Sequence, residues 1–144
     1  MSKKFGKLYL VAFLCLTLSI AFFNASDKLY GFEISIQVSP STLNIQSESQ
    51  VVTVHTSIAY ASVSGGTVTL NGIPISWWKA DNQGNFVAKF LMDEVKALAE
   101  NGGLVVPGEN ELMLKGETND GAYFVGTATI TVINVIPSGS GGKQ

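Results

Sequence analysis

From residue 32 onward, apolar residues recur at every second position in short segments separated by Gly, Pro, Asn and Asp. This is the period of a strand with one face in a core and the other in water. Ile34, Ile36 and Val38 alternate with Glu33, Ser35 and Gln37 and stop at Pro40. Leu43 and Ile45 form a second short run. Val52, Val54, Thr56 and Ile58 form a third beyond the polar stretch 47–50. Gly65-Gly66 opens a strand through Val68 and Leu70, and Asn71-Gly72 tolerates the two positive φ values that turn a hairpin back. On the returning strand, alternation places Ile73, Ile75 and Trp77 on one side and Ser76 and Trp78 on the other. One indole is therefore expected in the core and the other, Trp78, on the outer face. Residues 81–85 make a second turn, from which Phe86, Ala88, Phe90 and Met92 continue inward.

The rhythm changes at residues 93–100. Asp93 can cap, Glu94 sits in a first turn, and Val95, Leu98 and Ala99 line one helical face before Asn101-Gly102-Gly103 ends it. A helix of about two turns joining two sheets is predicted there. Pro107-Gly108 then precedes Leu112 and Leu114. Asn119-Asp120-Gly121 predicts a hairpin into a last strand with Phe124, Ala128, Ile130 and Val132 inward. Seven or eight strands, with turn signals roughly every ten residues, predict an all-β two-sheet sandwich carrying one short helix.

The segment before residue 32 has a different pattern. Lys3, Lys4 and Lys7 precede an apolar run over 8–23, sixteen residues long, against the roughly 20 that span a bilayer as a helix. This is the layout of a secretory signal peptide over 1–31, cut near Gly31 or, second, near Ala25; a retained anchor is the alternative. Cys15 is an apolar member of that run. The protein is thus expected to be secreted, periplasmic or on the cell surface, with no membrane insertion after cleavage. The organisation expected is a leader over 1–31, a sandwich over 32–137 and a Gly/Ser tail over 138–144.

Composition then narrows the partners. Residues 32–144 keep five of the nine lysines and ten of the eleven acidic residues, a formal charge of −5, and the whole chain has no arginine. Without the guanidinium fork that pairs phosphates and guanine edges, nucleic acid is excluded as a partner, and an anionic membrane surface is disfavoured. Cys15 is the only cysteine, so no disulfide staples the domain and packing alone stabilises it.

Candidate chemistry is sparse. Trp78, with Tyr60 and Tyr123, forms the expected ligand-binding set, because an exposed indole or phenol stacks on a sugar ring or anchors a partner. Asp81, Asn82 and Asn85 surround Gly84 with oxygen side chains. They are a calcium alternative set against an ordinary Asx turn, and the apolar strand Phe86 to Met92 that follows supplies no carboxylate to complete a coordination shell of six to eight oxygens. His55 is the only histidine and lies on a strand surface, with no Cys or carboxylate beside it. Asp93 and Glu94 are adjacent at a helix start, where they offset the dipole. No nucleophile elbow, phosphate loop or zinc-protease motif occurs. Neither catalysis, a cofactor nor a resident metal is expected.

The stretches 38–44 (VSPSTLN), 67–74 (TVTLNGIP) and 81–90 (DNQGNFVAKF), the short helix opening Asp93-Glu94-Val95, and the closing strand from Tyr123 to Ile133 together resemble secreted immunoglobulin-like modules of bacteria and archaea, of the fibronectin-III and cohesin kind. The resemblance covers most of 34–136. It implies an immunoglobulin-like sandwich and a non-catalytic extracellular module. The function expected is an interaction or structural role at the cell envelope or in the medium, with an envelope protein, a polysaccharide or a second copy as partner. Two alternatives stand beside it. One is a surface filament or adhesin subunit, in which the opening strand (33–38) and the closing strand (123–136) pair with neighbouring copies. The other is a carbohydrate-binding accessory module.

Overall fold

The computed structural model describes residues 31–138; the leader expected over 1–31 and the tail expected over 138–144 lie, but for Gly31 and Ser138, outside the described residues. Ten strands form: β1 (Phe32–Glu33), β2 (Ile36–Ser39), β3 (Thr42–Asn44), β4 (Val51–Ala59), β5 (Val63–Leu70), β6 (Ile73–Pro74), β7 (Trp77–Ala80), β8 (Asn85–Leu91), β9 (Gly108–Thr118) and β10 (Tyr123–Ile133). The helix α1 (Met92–Glu100) follows β8. One sheet runs β2-β4-β8-β7; the other runs β1-β10-β9-β5-β6, with β3 also on β10. These strand orders correspond to the A-B-E-D and G-F-C orders of immunoglobulin-like sandwiches, with β6 in the place of a C′ strand, and the two sheets are called ABED and GFC on that basis. Among the described residues, the all-β two-sheet architecture and one α-helix are as expected.

The strand count is ten, not seven or eight, because the opening segment divides. β1 and β3 run parallel to β10, pairing at Phe124–Val125 and at Thr131, Val132 and Ile133, while β2 crosses to the other sheet and pairs antiparallel with β4. Gly126 makes the crossing possible. A Cβ there would stand 2.6 Å from Ile36 Cγ2 and 3.0 Å from the Ile34 carbonyl oxygen. As a result β10 is flanked by β9 on one margin and by β1 and β3 on the other.

Phe86, Phe90 and Phe124 are fully buried with Leu43, Leu70, Leu112, Leu114 and Ile130 between the sheets. Burying each such side chain contributes about 1.5–3 kcal/mol. Phe124 covers Gly116, its partner on β9, whose absent side chain leaves room for the ring. Ala128, expected inward, is half-buried against the core. Among the described residues every buried side-chain polar atom has a hydrogen-bond partner. Asn110 is the example the periodicity did not mark: its Oδ1 accepts from Val105 N–H at 2.6 Å, and its Nδ2 donates to Val105 O at 2.9 Å.

The helix begins at Met92, one residue early, and no side chain caps it, so Asp93 lies inside the first turn. Met92 and Val95 are buried, and Leu98 and Ala99 pack on the core's margin. Between His55 and Ala59 the register of β4 against β8 shifts. There the Thr56 hydroxyl donates to the Phe86 carbonyl at 2.6 Å, satisfying a buried acceptor that the broken ladder would leave open.

Candidate functional site

Three connections gather at one end of the sandwich. These are the single 3₁₀ turn Tyr60–Ser62 between β4 and β5, the β7–β8 turn over 81–84 and the β9–β10 turn over 119–122. Tyr60 N–H donates to Gly84 O at 2.9 Å, and Asn119 N–H donates to Ser62 O at 2.8 Å. Asn119 Nδ2 also donates to Ala61 O at 2.8 Å. Long-range hydrogen bonds thus hold the three turns to one another.

Each turn is also braced from within. Asp81 Oδ1 accepts from the Gln83 and Asn85 N–H groups, both at 2.8 Å, while Gly84 takes φ +79° to close the hairpin. Asp81 therefore holds the turn itself. Asn82 and Asn85 lie in the same turn region, and among the described residues no group of three or more His, Cys, Asp and Glu side chains is placed to hold a metal ion. In the β9–β10 turn the Thr118 hydroxyl donates to Asp120 and accepts from Ala122 N–H at 3.0 Å. The bond from Thr118 holds the Asp120 carboxyl below the usual carboxylate range, with partial desolvation opposing it.

Three aromatic rings stand exposed at or beside this end. Tyr60 stacks on Phe86, centroids 6.2 Å apart, and Phe32 packs at the same separation on Phe124. Tyr123 opens β10 opposite Glu117 on the outer side of its sheet. Phe32, Tyr60 and Tyr123 each leave between 40 and 48 % of their surface accessible. A concavity of about 410 Å³ lies among Phe32, Ile58, Ala61, Ser62, Asn119 and Asp120. A second, of about 470 Å³, lies among Gln37, His55, Asp81, Asn82, Gln83 and Asn85. Rigid rings beside amide side chains offer stacking and hydrogen bonding together.

Of the three expected ligand-binding residues, the structure brings Tyr60 and Tyr123 to this end and places Trp78 on the β5–β7 margin, its indole over Gly65, next to Ser64, which pairs with the Glu117 opposite Tyr123. The expected orientation of the two indoles is reversed. Ile75 N–H still bonds Val68 O in the GFC sheet, whereas Ser76 N–H bonds Lys89 O in the ABED sheet. The chain changes sheets between these residues, and the alternation restarts in the opposite phase. Trp77, opposite Lys89, faces outward with the Lys89 ammonium 5.3 Å from its ring centroid. Trp78, opposite the buried Ala88, turns to the inner side at the sheet's margin. Its indole lies on Gly65 of β5, where a Cβ would stand 2.2 Å from Cε2. Neither indole is in the core: Trp77 is 45 % and Trp78 39 % exposed.

Phe32 and Asn119 were not marked by the sequence reading. Phe32 adjoins the expected cleavage point, and Asn119 reads as a turn residue until its reach to Ala61 is seen. The chain matches no known protein family, no curated protein and no solved structure.

Proposed function

We propose that this protein is an exported, non-catalytic β-sandwich module that binds an envelope protein or polysaccharide through its turn end. The observation that carries the reading is the set of exposed rings at the braced-turn end, Tyr60 on a turn and Phe32 and Tyr123 at strand ends beside it, with Phe32 lining one of two concavities there. Binding residues gather on loops positioned by a rigid scaffold, and a ring with two torsions loses little entropy when it is covered. The absence of arginine and the charge of −5 over 32–144 turn the reading away from phosphate-rich partners. The leader-like segment and the resemblance to secreted immunoglobulin-like modules supply the export and envelope parts.

A filament assembled through the opening and closing strands is the weaker reading. β10 is flanked by β9 along one margin and by β1 and β3 at the two ends of the other. The β7 edge is four residues long and carries Lys79, the kind of short, charged edge that resists pairing with another strand.

The test is to express the full chain, sequence the N-terminus of the product, and measure its retention on native envelope fragments before and after protease digestion. A new N-terminus after residue 31 or 25 is expected, with retention lost in Tyr60→Ala/Tyr123→Ala of unchanged circular dichroism. Retention that survives digestion identifies a polysaccharide, and retention that digestion abolishes identifies a protein. An uncut product that stays inside the cell, or the absence of retention in both arms, contradicts the proposal.

A further inference from the structure

The two outer faces of the sandwich carry opposite charge. The four ABED strands contain Lys79, Lys89 and His55 and no acidic residue. On β9 the buried positions Asn110, Leu112 and Leu114 alternate with the outward Glu109, Glu111 and Met113, and Glu117 lies farther along the same face. Lys115 is the only cation among the outward side chains of β9, so the acidic character concentrates at Glu109 and Glu111.

Shape follows charge. On the ABED face Trp77 stands out between the two lysines, opposite Lys89 and next to Lys79. Leu91, two residues beyond Lys89, adds an exposed apolar side chain. Val87, which pairs with both His55 and Lys79, is fully buried although it lies outside the core cluster. The outer side chains are therefore packed over it and form an ordered surface. On the GFC face a concavity of about 420 Å³ lies among Thr69, Asn71, Gly72, Glu111, Met113 and Lys115, with Met113 on its lining and Glu111 at its side.

We propose that a second copy of this chain docks its ABED face on the GFC face of the first. Trp77 seats in the Met113 concavity, and Lys79 and Lys89 lie against Glu109 and Glu111. The contact is heterologous, since each copy offers a different face, so it propagates instead of stopping at a symmetric dimer. It involves neither the turn end nor strand pairing. The contact centres on one indole and four charged side chains, so a dissociation constant on the order of 100 μM is expected. Salt weakens it, because the paired charges sit at a solvated rim.

The experiment is sedimentation of the purified full-length product alone, without envelope material, so its outcome is separate from that of the proposed binding role. Concentration-dependent growth beyond a dimer is expected, and Trp77→Ala should weaken it by about tenfold or more. The deciding variants are the charge reversals Lys79→Glu/Lys89→Glu and Glu109→Lys/Glu111→Lys, checked for unchanged circular dichroism because the half-buried Lys89 also donates to the Thr53 hydroxyl. Each alone should remain monomeric where the parent associates, and an equimolar mixture of the two should associate again. A parent that stays monomeric up to about 1 mM overturns the proposal, since even the weak end of such interfaces would have formed. So does association unaffected by either reversal, or failure of the mixture to restore it.

Discussion

The chain passes between the two sheets along both margins of the sandwich, and the margins are closed in different ways. On the β10 side the opening segment crosses twice and closes the gap with backbone pairing, β1 and β3 on β10 and β2 on β4. On the β5–β7 side the crossing at Ile75–Ser76 leaves Gly65 uncovered by any strand, and the indole of Trp78 lies over it. Each closure depends on a glycine that lets a neighbour approach the backbone. At Gly126 that neighbour includes the carbonyl of Ile34, and at Gly65 it is a side chain with an exposed margin to move into. A backbone-closed margin should therefore be brittle, and a side-chain-closed margin forgiving.

Phe124→Ala tests the brittle margin most severely. The ring covers Gly116 and supports Phe32, so its removal should cost about 3–5 kcal/mol in urea denaturation. Gly126→Ala comes next. The added methyl meets Ile36 and the Ile34 carbonyl, and one to a few kcal/mol, roughly the overpacking range, is expected. Gly65→Ala should cost less, about 1 kcal/mol, because the Trp78 indole can swing into solvent. Its diagnostic is a red shift in tryptophan emission, which Gly126→Ala should not produce. Equal costs at the two glycines would break the comparison.

The smallest effect is expected at the turn end. The Asp120 carboxyl titrates lower in the folded chain than in the unfolded one because Thr118 donates to it. Its contribution is present above the unfolded value and is lost as pH falls through the folded one. Asp120→Asn should therefore be slightly less stable than the parent near neutrality, and the two should converge in acid. A difference that grows as the pH falls would contradict the assignment.

The strands and their turns were legible in the sequence because both signals are local. Alternation marked β4, β8 and β10, and Asn71-Gly72 forms its hairpin with φ values of 46° and 82°. The helix was placed to within one residue. What escaped depends on long-range geometry. Alternation assumes that a strand stays in one sheet, so the crossing at Ile75–Ser76 reversed which indole faces outward and left neither in the core. The division of the opening strand is invisible without β10 beside it. The turn end is assembled by bonds such as Asn119 to Ala61, 58 residues apart, which no local pattern announces. Tyr60 and Tyr123 were singled out as exposed aromatics, but only the fold places them at the same end.

The central claim is that the turn end, rather than the indole-bearing margin, meets the ligand. Hydroxyl-radical footprinting with and without native envelope fragments reads it directly, because all five rings in question are exposed and oxidisable. Protection of Phe32, Tyr60 and Tyr123 with unchanged labelling of Trp77 and Trp78 is the predicted result. Protection confined to the two tryptophans would contradict it and move the site to the β7 margin.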